Sequence, residues 1–485
     1  MTSRRPSVGP VIVLALAALV PALGLAALQQ AAASRSQSAD AADAVSLDPV
    51  ADLTAVVAGG RRVMTTRRAG AELSGRANHA ALAASLSSVT GAMASSSCLS
   101  VTVDGATVDV GSAAPAIPAS TVKVLIAVAA IEVLGTGHRF TTTVVGPSPV
   151  GGIVPGDIVL VGGGDPLLGG DWYPASYLER HPVIFQTSLD ELARTLAASG
   201  VQAVDGRVLG DPGRYDLEFY VPDWAGGIAG IEAGPYAGLM ANDSRVEGDA
   251  YRWDDPIAAA AEEFSRRLSA VGISNAGGGG RSDGDGSARV LASIESAPLR
   301  DIVAEMLMTS DNNTAELLLK EIDYASGGEG TRLGGIEATR ATLAGLGVPV
   351  DGLGLVDGSG LANNAMVRCE TLVAALDRGD PTVIDGLAVA GVSGTLSDVF
   401  VGSPMEGRLQ AKTGTLGNPP YDQDPPAVKA LAGRYVSDGG ERITFALLLN
   451  QFMINDQANY RPIWDDLASA LAAYPSGPSL ETLGP

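Results

Sequence analysis

The sequence predicts an α/β (α+β) chain: a helical core joined to late strands, interrupted by one inserted, mainly β domain. Three observations carry this. Val122 to Leu134 is almost continuously apolar and free of Gly and Pro, which reads as a buried helix. Between about residues 140 and 286 the texture changes to short strand-like runs separated by Gly and Pro turns. After that, two helical stretches at Leu299–Met308 and Thr314–Ile322 precede strand-like runs at Leu409–Thr415, Val428–Val436 and Arg442–Leu449.

The elements follow in order. Arg4 and Arg5, an apolar run from Pro10 to Leu28, and small residues at Ala31-Ala32-Ala33 give residues 1–33 the layout of a signal peptide, or of a membrane anchor if uncut. The pair of arginines lacks the residues that would mark the twin-arginine route. Both readings put the rest of the chain outside the cytoplasm. Residues 34–47 form a Ser/Ala/Asp linker. Residues 48–139 open the main domain, with a helix at Asn78–Ser87, a strand at Cys98–Val103, a hairpin turn at Asp104-Gly105 and a return strand to Val110. The insert, 140–286, carries strands such as Ile158–Val161 and Ala203–Leu209, a helix at Leu189–Ala198 and another at Pro256–Val271 capped by Asp255. Residues 287–475 resume the helical core at Arg289 and close with a helix at Pro462–Ala473; 476–485 is a tail.

Composition excludes some functions. The chain of 485 residues has 32 basic and 54 acidic side chains, a formal charge of −22. That leaves no basic stripe for nucleic acid. Two cysteines, Cys98 and Cys369, in an exported chain fit one disulfide or two buried thiols. No metal site surrounds them, and no cofactor is called for.

The chemistry centres on Ser120-Thr121-Val122-Lys123 at the start of the apolar helix. A spacing of three residues puts the Ser120 hydroxyl and the Lys123 amine on one face. A serine becomes a nucleophile when a neighbouring base takes its proton, and a lysine in an apolar wall can lose enough charge to be that base. The same four residues would also arise from an N-cap serine followed by an unrelated lysine. Lysine usage favours chemistry: the chain has only Lys123, Lys320, Lys412 and Lys429, with arginine at the other basic positions. Arginine cannot accept a proton at physiological pH. Ser310-Asp311-Asn312 sits between two helices, where Ser310 and Asn312 could relay a proton and grip a carbonyl, or merely cap the second helix. Lys412-Thr413-Gly414-Thr415 ends a strand, with Gly414 leaving room for a ligand backbone at its edge and the lysine and threonines suited to a carboxylate.

Ser-x-x-Lys and Ser-x-Asn each occur once, and Lys-Thr-Gly follows them in that order. This set resembles the penicillin-recognising serine acyltransferases. Gly162-Gly163-Gly164-Asp165-Pro166, Asp357-Gly358-Ser359-Gly360-Leu361 and Ala390-Gly391-Val392-Ser393-Gly394-Thr395-Leu396 narrow the resemblance, which runs from about Cys98 to Ala473. They point to the class C low-molecular-mass penicillin-binding proteins, the D-Ala-D-Ala carboxypeptidase/endopeptidases. The resemblance implies a penicillin-binding/serine β-lactamase-like transpeptidase fold: an antiparallel sheet flanked by helices, plus a helical subdomain. It implies action on peptidoglycan stem peptides ending in D-Ala-D-Ala, with β-lactams as inhibitors. Ser120 would attack the carbonyl between the two D-alanines and Lys123 would take its proton. Ser310 would protonate the leaving amine and Asn312 would hold the substrate amide. Lys412, Thr413 and Thr415 would bind the terminal carboxylate, while the backbone N–H groups of Ser120 and Thr415 would form the oxyanion hole. Membrane contact would come only through the N-terminal segment, if uncleaved.

Ser120 and Ser310 are 190 residues apart, fewer than two inserted domains would need, which is why a single insert is expected. Gly280-Arg281-Ser282-Asp283-Gly284 matches a nucleophile-elbow pattern but lacks a preceding strand. His79, His138 and His181 lie far from partner motifs, which argues against a Ser-His-Asp triad; the last two read as surface or interface residues. Two rival readings are a β-lactamase, for which no Glu-x-x-Leu-Asn follows Asn312, and a decayed cell-wall binding protein, against which the intact set argues.

Overall fold

The computed structural model describes residues 66–112, 114–178, 180–283, 289–417 and 427–479. The signal or anchor segment and the linker read at 1–47 lie outside these residues, as does the end of the glycine-rich loop at 284–286. Among the described residues no helix is long and apolar enough to cross a membrane.

Helix α1 (Thr66–Ser85) precedes strands β1 (Cys98–Val103) and β2 (Ala106–Ser112). Asp104 and Gly105 join these strands with positive φ at both positions, 49° and 79°, the twist a two-residue hairpin requires. Helix α2 (Lys123–Leu134) follows, almost wholly buried, as its unbroken apolar run demands. The chain then builds β3 (Thr141–Gly146), β4 (Ile158–Val161), helix α3 (Leu189–Ala198), β5 (Val208–Gly210), helix α4 (Pro256–Ala270) and β6 (Arg289–Glu295). These four strands form a sheet of order β6-β3-β4-β5, parallel only between β4 and β5. Val144, Ile158, Leu160, Leu192, Phe264 and Leu268 make its own core with α3 and α4. Arg289–Glu295 is a strand beside β3, not part of the resumed helical core: Val290, Ala292 and Ile294 alternate, and Ala292 faces inward.

Helices α5 (Leu299–Thr309), α6 (Asn312–Ala325), α7 (Arg332–Gly345) and α8 (Cys369–Arg378) come next. They precede β7 (Ala388–Val389), β8 (Leu409–Leu416), β9 (Val428–Val436), β10 (Arg442–Asn450) and helix α9 (Gln457–Ala472). The main sheet has the order β7-β8-β9-β10-β1-β2 and is antiparallel throughout. It is covered on both faces. Ala430, Ala432, Ala446 and Leu448 face α2, α5 and α8, whereas Leu431, Phe445, Leu447 and Leu449 face α1 and α9. Burial on both faces explains why β10 reads as a continuous apolar run. The closing helix begins five residues before Pro462, where Asp456 caps it through the Ala458 N–H, so this proline sits inside the helix and not at its first position.

Cys98, first in β1, is disulfide-bonded to Cys369, first in α8, across 271 residues of chain. A bridge closing so long a loop removes much denatured-state entropy. Cys98→Ala/Cys369→Ala is expected to lower the free energy of unfolding by about 2–5 kcal/mol. Urea midpoints of the oxidised wild type and the double variant measure this; coincident midpoints would show that the bridge contributes nothing.

Candidate active site

Ser120 lies in a single 3₁₀ turn, Ala119–Val122, that runs directly into α2. The turn is braced from three sides. The side-chain amide of Asn450 accepts from the Ile117 N–H at 2.6 Å and donates to the Ile117 carbonyl at 3.0 Å. A side chain on Gly360, which has φ +80°, would lie 2.0 Å from the Ala119 carbonyl oxygen. A side chain on Gly414 would lie 2.9 Å from the Pro118 carbonyl oxygen. Gly414 therefore makes room for the serine-bearing turn. Between these contacts Ala119 is held at φ 47°, a left-handed conformation that costs about 1 kcal/mol or more and orients the residue after it.

Lys123 is wholly buried, and its amine donates three hydrogen bonds: to Ser120 Oγ at 2.9 Å, to Asn312 Oδ1 at 2.7 Å and to the Ser359 carbonyl at 2.6 Å. Burial pushes its pKa down to about 8, against the opposing pull of Asp357, Asp311 and Glu316. A neutral amine has two hydrogens and one lone pair. With two acceptors fixed at Asn312 and Ser359, the lone pair has one remaining direction, toward Ser120 Oγ.

These acceptors are themselves held. Asn312 Nδ2 donates to the Glu232 carbonyl at 2.9 Å, which sets its oxygen toward Lys123. Ser359 is clamped by Glu316, whose carboxylate accepts from the N–H groups of Gly358 and Ser359. Asp357 accepts from the Gly360 and Ala362 N–H groups and from Trp224 Nε1. Burial, then the neighbouring Asp357, push Glu316 up to about 7.

Ser310 sits between α5 and α6 with φ 68°. Asp311, not Ser310 or Asn312, caps α6, which leaves the other two side chains for the cleft. Lys412 on β8 donates to Ser310 Oγ at 2.8 Å and to the Thr413 carbonyl at 2.8 Å. Burial, then repulsion from Lys123 and Lys429, hold Lys412 well below the usual lysine range. Thr413 Oγ1 donates to Thr395 Oγ1 at 2.8 Å, which brings the Ala390–Leu396 run to the site. Ser120, Ser310, Asn312, Thr413 and Thr415 all line one cleft of about 680 Å³, within the usual size of a small-ligand site. Asp165 is buried near the Pro166–Leu168 segment of its wall and is pushed up to about 6 by burial, although it accepts from the Leu167 N–H.

Sequence reasoning missed several cleft residues. His181, read as a surface or interface residue, lines the cleft. Glu305 anchors the segment behind it by accepting from the Ile184 and Phe185 N–H groups, a tie with no local sequence signal. Arg180, Lys429, Arg461 and Trp464 line it too. His138 instead packs edge-on against Phe140, and Ser282 lies outside the cleft wall, its N–H donating to Gly210 of β5. Among the described residues no cluster of His, Cys, Asp or Glu could hold a metal.

The model of the D-Ala-D-Ala carboxypeptidase 3 (S13) family matches residues 76–252 and 235–474. The D-alanyl-D-alanine carboxypeptidase of Actinomadura sp. (strain R39) is 30% identical over 421 residues, covering 69% of this chain and 73% of its own. Carboxypeptidase DacB of Mycolicibacterium smegmatis is 30% identical over 358 residues, covering 70% and 72%. The fold is similar to that of penicillin binding protein 4 (dacB) from Haemophilus influenzae, with a TM-score of 0.64 at 20% identity over 80% of this chain and 99% of that one.

Proposed function

The chain belongs to the D-Ala-D-Ala carboxypeptidase 3 (S13) family, and from that premise we propose that Ser120 is the nucleophile through which this serine-type D-Ala-D-Ala carboxypeptidase forms its acyl-enzyme. The enzyme acts outside the cytoplasm, on peptidoglycan. The observation that carries the reading is the contact of 2.9 Å between Ser120 Oγ and a buried lysine whose other two hydrogen bonds are fixed.

Lys123 takes the Ser120 proton as Oγ attacks the carbonyl between the two D-alanines. The oxyanion forms between the backbone N–H groups of Ser120 and Thr415, the former at the N-terminal end of the α2 region, where the helix dipole favours negative charge. Each such donor contributes about 3 kcal/mol of barrier lowering in acyl-transfer enzymes. Asn312 holds the substrate amide. Lys412, Thr413 and Thr415 take the terminal carboxylate, and the Lys412–Ser310 pair delivers a proton to the departing amine as the C–N bond breaks. The proton held by Lys123 then passes to the Lys412–Ser310 pair, which gave its own to the amine, so Lys123 is neutral again. Water loses a proton to Lys123 as it adds to the ester carbonyl, and that proton goes to Ser120 Oγ as the acyl C–O bond breaks.

β-Lactams enter by the same route, since their strained amide carbonyl faces the same nucleophile. Brief exposure to benzylpenicillin, followed by intact-protein mass spectrometry and peptide mapping, is expected to show one drug per chain, on the peptide that contains Ser120. Intact drug without an adduct would sink the reading; rapid drug loss without an adduct would make the enzyme a β-lactamase.

A further inference from the structure

In a chain of net charge −22, three cations meet along the cleft. Lys429 lies directly opposite Thr415 in the β8–β9 ladder, and its amine donates to Thr415 Oγ1 at 2.9 Å. That amine stands 4.3 Å from the centre of the Tyr460 ring and 5.3 Å from the Trp464 ring. The Arg461 guanidinium lies 5.5 Å from the same Tyr460 ring, and Arg180 lines the same cleft. Among the described residues, no carboxylate lies within ion-pair distance of any of these three cations.

Keeping an ammonium half-buried beside other cations is unfavourable. Burial pushes Lys429 down to about 8, and Arg461 and Arg180 push it the same way, with only Asp398 opposing. Aromatic faces return part of what is lost from water, but they do not neutralise charge. A carboxylate would. It would also pair with cations that stand beside the same Tyr460 ring, and it would raise the Lys429 pKa on binding.

The position fixes which carboxylate. Thr415 belongs to the set that takes the terminal carboxylate, so a group reaching Lys429 is carried by the same leaving residue. Resting on the peptidase reading above, we propose that Lys429 and Arg461, with Arg180 lining the same cleft, form an anion subsite for a second carboxylate on the leaving amino acid. The preferred leaving group is thus a dicarboxylic D-amino acid over plain D-alanine. The bond made and the bond broken are those of the reaction already described; only the leaving amine differs.

The test compares kcat/KM for two peptides, Nα,Nε-diacetyl-L-Lys-D-Ala-D-Ala and the same peptide ending in D-Glu. Wild type, Lys429→Met, Lys429→Arg and Arg461→Gln are assayed, with thermal midpoints recorded. The ratio for the D-Glu over the D-Ala peptide is expected to fall about tenfold in Lys429→Met and Arg461→Gln, the loss of one charge-assisted contact, and to be kept in Lys429→Arg. Arg461, partly exposed, gives a variant that keeps the fold if Lys429→Met does not. An unchanged ratio in Arg461→Gln and in a folded Lys429→Met would overturn the subsite alone. A wild type that hydrolyses neither peptide and forms no penicillin adduct would overturn the peptidase reading, and the subsite with it.

Discussion

Ser120→Ala is expected to abolish the covalent penicillin adduct and to lower peptide turnover on the order of 10⁶-fold, the scale of loss when a serine hydrolase is stripped of its nucleophile. The substitution removes one oxygen from a half-buried position and leaves the fold's supports in place. Asn450 still grips Ile117, Gly360 and Gly414 still admit the turn, and Lys123 keeps its bonds to Asn312 and Ser359. The thermal midpoint should therefore stay close to that of the wild type, which separates lost chemistry from lost structure. Ser310 is the obvious substitute nucleophile, but the neighbour of its hydroxyl is Lys412, which also donates to the Thr413 carbonyl at the carboxylate end of the cleft. Adduct formation on Ser120→Ala, mapped to Ser310 or any other residue, would reverse the assignment. Intact-mass spectra of both proteins after matched exposure decide it.

Much of this site was legible before any coordinates, because the chemistry depends on side-chain types at short spacings. Ser120 and Lys123 are three residues apart, Ser310 and Asn312 two, and each short pattern is unique in a chain that otherwise favours arginine. What stayed hidden depends on contacts between distant segments, and on backbone atoms that every residue carries. The Ser359 carbonyl that receives the Lys123 amine comes from 236 positions away. The Glu232 carbonyl that orients Asn312 comes from the insert. Neither leaves a mark in composition. Gly414 shows the same limit: a glycine signals that something approaches closely, but no local pattern announced that the Pro118–Ala119 segment does so here. The fold shows the same division. The apolar runs specified α2 and β10, but Arg289–Glu295 gained its place as a strand from pairing with β3 nearly 150 residues earlier.

Lys123→Met should slow acylation by benzylpenicillin about 10²–10⁴-fold, the range for removal of a positioned general base. Methionine fills a similar volume in a wholly buried site, so packing changes little while the proton acceptor disappears. The pH dependence makes the role specific. Lys123 can accept a proton only when neutral, and with a pKa of about 8 only about a tenth of it is neutral at pH 7. The wild-type second-order acylation rate constant should therefore climb about tenfold per pH unit below pH 8 and level off above it. The sign follows from the cause: burial lowers this lysine, so alkaline conditions complete the deprotonation that burial began. In Lys123→Met that rising limb should vanish, leaving a slow rate without the inflection near 8. Lys412, held below its ordinary range by burial and by Lys123 itself, and Lys429, pushed down to about 8 by burial, are other amines at the site able to give such a limb, and of these two Lys412 is the one bonded to the Ser310 hydroxyl. A Lys123→Met enzyme that keeps the limb, or acylates within about tenfold of wild type, would transfer the base role to Lys412. The geometry favours Lys123, because the Ser359 carbonyl and Asn312 Oδ1 fix both of its hydrogens and thereby direct its lone pair to Ser120, whereas Lys412 reaches Ser310 and the Thr413 carbonyl.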